Sequence, residues 1–311
     1  MKQTMRNIVA ALALLLTSVG AWAADQVIVI TQFNGNATTT AGTVTPTVAN
    51  GVCTLTVTPA NGYYLTVNNL TATKIVDGGE AQARQYLPSV DKETLQITAT
   101  DASADPSGTT TYTFQMPQNG FDVKVVADFQ KQTDITNYTV TLSGTSFAYT
   151  GSAITPGVTS VQDATGNTVT SANYTVAYTN NVNAATPNDQ NPPTVTVTGK
   201  GTYTGSTSAT FTIGKADITL TVSIDNWVYG EAAKAPVLTG NTGNGTVTYE
   251  YKVKNADDNT YTTNEPTDKG EYTLKATVDA TPNYNGGSAT TNFQITSQVV
   301  ANATVTLETT N

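Results

Sequence analysis

Long stretches of this chain alternate an apolar residue with threonine or a charged residue, a pattern that few folds can accommodate. Tyr138-Thr139-Val140-Thr141-Leu142, Val195-Thr196-Val197-Thr198, Ile218-Thr219-Leu220-Thr221-Val222 and Val247-Thr248-Tyr249-Glu250-Tyr251-Lys252-Val253 all keep a period of two. Successive side chains of an extended strand point to opposite faces, so each stretch buries one face and wets the other. The β-branched threonines favour extended backbone and keep the wet face soluble with few charges. Gly, Asn, Asp and Pro punctuate the gaps, as at Asp163-Ala164-Thr165-Gly166-Asn167. The pattern predicts an all-β fold. One segment, Glu80 to Tyr86, reads as a helix after Gly78-Gly79.

Three landmarks recur at nearly one spacing. Asp134-Ile135-Thr136 returns 83 positions later as Asp217-Ile218-Thr219, Phe147-Ala148-Tyr149 returns after 80 as Trp227-Val228-Tyr229, and Phe211-Thr212-Ile213 returns after 82 as Phe293-Gln294-Ile295. A fixed period is how tandem modules show themselves in sequence. The expected domains are therefore 24–130, 131–213 and 214–296, each a small β module. Residues 297–311, with Asn302-Ala303-Thr304-Val305-Thr306-Leu307, restart an opening strand, either as a terminal strand or as the truncated start of a further module. A module of this size is roughly 30 Å across and buries only about 60–65% of its unfolded surface. Contacts at the joints Gln130-Lys131-Gln132 and Gly214-Lys215 therefore matter to stability.

The first residues read as an export signal. Lys2 and Arg6 precede an apolar run, Ile8 to Leu16, and Ala21-Trp22-Ala23 supplies the small residues a signal peptidase needs, with cleavage before Ala24. The run is too short for the ~20 residues that span a bilayer, so no membrane insertion is expected after cleavage, and the expected location is secreted or at the cell surface. Without residues 1–23 the chain keeps 12 basic and 23 acidic residues, a net charge of −11. That charge repels phosphate backbones and anionic headgroups, which excludes nucleic acid as a natural partner. Cys53 is the single cysteine and shares its parity with Leu55 and Val57, so it is expected to pack as a small core hydrophobe.

Chemistry is hard to find in this chain. Histidine is absent, which removes the commonest general base and metal ligand. One cysteine cannot build a thiolate zinc site, and no Gly-rich loop joins a strand to a helix as nucleotide binding requires. Glu250, Asp257, Asp258, Glu265 and Glu271 fall in turns or on wet faces, where a carboxyl lacks the cleft that would make it a catalytic acid. Asp257-Asp258-Asn259, Asp77 to Glu80 and Asp163 to Asn167 gather hard oxygens, but none has the spacing of an EF-hand loop. The expectation is no catalytic residue, no metal and no cofactor.

Several motifs resemble bacterial surface modules. Leu55 to Leu65 (L-T-V-T-P-A-N-G-Y-Y-L), Tyr112 to Pro117 (Y-T-F-Q-M-P) and Asp122 to Phe129 (D-V-K-V-V-A-D-F) resemble the bacterial repeat domain related to the internalin B-repeat. That resemblance implies a β-grasp-like first module serving as a spacer or adhesive surface. Tyr149 to Pro156, Asn173 to Asn181 and Gly199 to Gly205 resemble an Ig-like stalk repeat, departing from it at the Pro-rich stretch Pro187 to Pro193. Trp227 to Gly230 and Asn283 to Gly286 resemble the MBG type of bacterial Ig-like domain. These two resemblances imply Ig-like β-sandwiches for the second and third modules. In the third, Asp268-Lys269-Gly270-Glu271-Tyr272 has the spacing of a tyrosine corner, in which the hydroxyl bonds back to upstream backbone.

The aromatics raise a sugar-binding reading, because a flat ring stacks on a pyranose face. Trp227 and Tyr229 share a parity in the strand opening the third module, where the MBG-type resemblance implies core residues. Tyr63 and Tyr64 are adjacent and cannot both face inward, which makes them the candidate ligand face. Cys53, Trp227, Asp268, Gly270 and Tyr272 are expected to be structural. Taken together, the residues predict an exported, non-catalytic stalk or adhesin-like protein, with a cell-surface glycan or host protein as its partner. The alternative is a carbohydrate- or host-ligand-binding module of an exported assembly.

Overall fold

A computed structural model describes residues 27–75, 91–118 and 121–297. The signal segment, the candidate helix 80–86 and the restarted strand at 302–307 lie outside the described residues. Among the described residues the chain is all-β, and its only helical elements are three-residue 3-10 turns at Val67–Asn69, Ser171–Asn173 and Asp258–Thr260. No described helix is long and apolar enough to cross a membrane. The chain divides into two compact units: Met1–Leu142 with Val158–Ala177 and Val195–Ala209, and Ser143–Gly157 with Tyr178–Thr194 and Thr210–Asn311. The stretch 131–213 contributes to both, so this division and the sequence repeat cut the chain differently.

In the first unit, the described residues between 27 and 131 form two sheets around one core. One sheet runs in the order Asn36–Ala37, Val27–Phe33, Val123–Lys131, Leu70–Ile75, Asp91–Leu95, with Tyr63–Tyr64 also paired to Val123–Lys131. The other runs Gly42–Ala49, Val52–Pro59, Thr110–Gln115, Thr98–Ala99. The module is all-β as expected, built as two facing sheets. Alternation supplies the contact: Val123, Val125, Ala127 and Phe129 face inward from one sheet, and Cys53, Leu55, Val57, Tyr112 and Phe114 from the other. At Gly42 the backbone lies close against the other layer, since a Cβ there would lie 2.5 Å from Phe129 Cε1. Pro46 sits mid-strand in Gly42–Ala49, which lies at the edge of its sheet. An edge is where a residue without an N–H is tolerated and where it discourages a further strand from adding.

The end of this module is clasped rather than loosely tethered. Gln132 N–H donates to Gly62 O at 2.8 Å, and its side-chain Nε2 donates to Gly201 O at 2.7 Å and to Tyr203 O at 3.0 Å. Thr133–Asp134 then pairs in parallel with Tyr203–Thr204. Ile135, Val140, Val161, Val169, Val195 and Val197 are buried in the remainder of this unit.

The second unit contains the third repeat. Its larger sheet runs Trp227–Val228, Gly287–Thr296, Gly270–Val278, Val247–Val253, and Thr221–Ser223 pairs with Val237–Thr239 in a second layer. Val222, Trp227, Tyr251, Leu274, Ala276, Phe293 and Ile295 fill the space between. Asn283 ties this repeat to the long loop before Thr194: its Nδ2 donates to Asn183 Oδ1 at 3.1 Å and its Oδ1 accepts Ala184 N–H at 2.8 Å. Beside it the rings of Tyr149 and Tyr284 meet edge to face at 5.3 Å.

The repeated landmarks turn out to be partners. Phe147 pairs with Ile213 in parallel strands, and Trp227 pairs with Ile295 in the same way. Each repeat also begins by pairing with its own x-Y-x-G segment, Thr133 with Tyr203 and Ala216 with Tyr284. The following glycines cannot carry a side chain. At Gly205 a Cβ would lie 2.2 Å from Asp134 Oδ1, and at Gly286 2.7 Å from Val278 O.

Candidate functional site

Of the residues expected to be structural, Cys53 and Trp227 are buried, Tyr272 packs against a core, and Asp268 is exposed. Cys53 is fully buried, and burial pushes its thiol up to about 11 against a weaker lowering by the Thr47 backbone. Trp227 is buried and stacks on Phe293 at 5.1 Å, with Tyr272 stacked on the same ring at 5.6 Å and Tyr251 edge-on to it at 6.1 Å. The Tyr272 hydroxyl donates to Asp268 O at 3.0 Å, which pins the segment before the strand Gly270–Val278. Gly270 opens that strand and pairs with Ile295.

The candidate ligand face is less open than its two adjacent tyrosines imply. Tyr63 and Tyr64 are both half-buried, and Tyr63 packs edge to face on Phe33 at 5.4 Å. Their short strand pairs with Gln130 and Lys131.

Tyr229 is where the parity argument fails. The strand ends at Val228, Glu231 N–H donates back to Val228 O at 2.9 Å, and Gly230 takes a left-handed φ of 91°. The turn rotates Tyr229 outward, leaving it 50% exposed. It borders a cleft of about 370 Å³ lined also by Trp227, Glu231, Ala233, Glu265 and Pro266. A second cleft of about 410 Å³ has Tyr251, Val253, Asn264, Asp268 and Tyr272 among its walls. Both are bordered by Glu265-Pro266-Thr267 and belong to the third repeat. Val253, 60% exposed, adds a second apolar side chain to this face. Sequence reasoning missed it because nothing in the local pattern marks the segment 262–268 as a wall. That segment is held by Tyr251 N–H donating to Thr262 O at 2.7 Å, with Thr262 N–H returning to Tyr251 O at 3.0 Å.

The carboxylates are largely committed to turns and ion pairs. Asp101 accepts from Ser103, Asp105 from Ser107, Asp134 from Thr136, and Asp189 from Thr186. Asp163 accepts from Thr165 and Asn167, and these hydrogen bonds, the Asn167 side chain foremost, hold its carboxyl down at about 2. The same cause lowers Asp101, Asp134 and Asp189. Asp258 is lowered by its hydrogen bond to Lys252 at 2.6 Å. Glu271 pairs with Lys254 at 3.1 Å and Glu250 with Lys275 at 2.5 Å. Lys252 and Lys275 both lie over the Tyr261 ring, at 4.9 and 4.3 Å. Among the described residues no group of His, Cys, Asp or Glu is arranged to hold a metal ion.

No family model and no curated protein matches the chain. Solved structures do match. A protocadherin gammaB7 EC3-6 cis-dimer structure is 12% identical, with 88% of this chain and 72% of that one covered at a TM-score of 0.22. Protocadherin gamma B2 extracellular cadherin domains 1-5 are 14% identical, with 89% and 60% covered at 0.20. A SusE-like surface located polysaccharide binding protein from the Bacteroides thetaiotaomicron heparin utilisation locus is 11% identical, with 82% and 54% covered at 0.18.

Proposed function

We propose that this chain is an exported, non-catalytic surface protein of the stalk or adhesin-like kind, acting by spacing and by contact with a glycan or host protein. The observation that carries the reading is the use to which the chain puts its polar groups. Carboxylates that elsewhere serve as acids and bases here close turns or pair with lysine: among the described residues those with displaced pKa values, Asp101, Asp134, Asp163 and Asp189 in turns and Asp258 against Lys252, are held low, opposite to what a general acid needs. Amide side chains at Gln132 and Asn283 fasten segments distant in sequence. Such a chain maintains a shape. The export signal at residues 1–23 and the resemblance of its motifs to internalin-B-repeat and MBG-type modules belong to the same proposal.

Surface proteolysis of intact cells, with N-terminal sequencing of the released chain, tests this directly. The expected result is a mature N-terminus at Ala24 and digestion without lysis. A chain retained in the cytoplasm with Met1 or its successor at the N-terminus overturns the proposal. So does hydrolytic turnover by the purified protein that is abolished by Glu265→Gln.

A further inference from the structure

We propose, resting on the glycan-contact reading above, that the third repeat carries a shallow binding cleft for a neutral saccharide, with the exposed ring of Tyr229 as the stacking platform and Glu231 and Glu265 as hydroxyl acceptors. Three features meet there. Tyr229 is half exposed although it follows a core tryptophan by two residues, because the turn at Gly230 turns it out. Its backbone is fixed, with Tyr229 N–H bonded to Thr296 O at 2.9 Å, so the ring is presented from a rigid base. The cleft of about 370 Å³ beside it is bordered by the exposed side chains of Glu265 and of Glu231, whose Oε2 also accepts Val228 N–H at 3.4 Å and whose other oxygen is left for a ligand. Lys269 Nζ lies over one face of the ring, 5.2 Å from its centroid, so a sugar would stack on the opposite face.

The chemistry of this arrangement selects among ligands. One flat aromatic face with a few convergent polar groups matches a pyranose, which has an apolar C–H face and hydroxyls around its edge. Carboxylates accept hydrogen bonds from hydroxyls but repel uronate or sulfate groups. Glu231 and Glu265 give the site a negative excess over Lys269, and the chain without residues 1–23 carries −11. Anionic glycans are therefore disfavoured. An extended peptide is disfavoured for a different reason: the end strands of this sheet offer little ladder to add to, Trp227–Val228 being two residues long and Tyr251 in Val247–Val253 being bridged to Thr262.

The test is calorimetric titration of the mature chain with maltohexaose, cellohexaose, laminarihexaose, xylohexaose and mannohexaose, alongside polygalacturonate and chondroitin sulfate. The expected result is saturable binding of at least one neutral hexaose, weakened tenfold or more by Tyr229→Ala and severalfold by Glu265→Gln, with neither anionic polymer bound. Both side chains are exposed, and unchanged circular dichroism verifies that each variant folds. Absence of binding to every neutral hexaose overturns the proposal. Binding unaffected by Tyr229→Ala does so too, as does a basic peptide that binds in their place and depends on Glu265.

Discussion

The indole of Trp227 lies 5.1 Å from the ring of Phe293, tilted only 17° from parallel, and the two strands that carry them run side by side in the same direction. Phe293 is the centre of the third repeat's core, because Tyr272 and Tyr251 also contact its ring. Phe293→Ala removes the shared partner of three aromatic side chains. A cost of about 3–5 kcal/mol is expected for such a truncation. Urea unfolding followed by tryptophan fluorescence measures it, since Trp227 is the only tryptophan after residue 23.

Tyr272 ties strand to loop through one hydroxyl. Its bond to Asp268 O is partly solvated, so Tyr272→Phe is expected to cost about 0.5–1.5 kcal/mol. The ring remains to stack on Phe293. A larger loss by denaturant titration would show that the hydroxyl supports more of the 262–268 segment than this single bond.

Acid should loosen the turns before the cores. The Asp163 carboxyl is held at about 2 against an ordinary value of 3.8 by donors from Asn167 and Thr165. A depressed carboxyl contributes stability that is present above its unfolded value and is lost as pH falls from about 3.8 towards 2. Asp101, Asp134 and Asp189 move in the same direction. Titration of the side-chain carboxyl carbons by NMR should give a midpoint near 2 for Asp163, and Asn167→Ala should move it upward. A midpoint at the ordinary value contradicts the turn geometry.

Cys53 should be inert in the folded chain. It is fully buried, and its thiol is pushed up to about 11, so almost no thiolate exists at neutral pH. Reaction with a disulfide reagent is expected to be negligible in buffer and rapid in concentrated urea. Fast reaction of the native chain would mean that the sheet Gly42–Ala49, Val52–Pro59, Thr110–Gln115 opens readily.

Local pattern made much of this legible. Period-two alternation placed Cys53, Leu55 and Val57 on one buried face, as it did Val195 and Val197. The repeat marked residues that prove to be strand partners, Phe147 with Ile213 and Trp227 with Ile295. Tyr229 escaped because parity holds only while the strand lasts, and this strand is two residues long. The parallel pairing of Val27–Phe33 with Val123–Lys131 joins segments about a hundred positions apart, which no periodicity encodes. The cleft was illegible for a related reason: its shared wall, Glu265-Pro266-Thr267, is set by a bridge between Tyr251 and Thr262.

The central claim is that the shape is kept by separate sheet cores, each sealed on its own. Hydrogen exchange of the full mature chain, compared with Phe293→Ala, tests this most directly. The amides of Gly270–Val278 and Gly287–Thr296 should lose protection in the variant, while those of Val52–Pro59 and Val123–Lys131 keep theirs. Equal loss in both regions would mean a single cooperative core and would contradict the account.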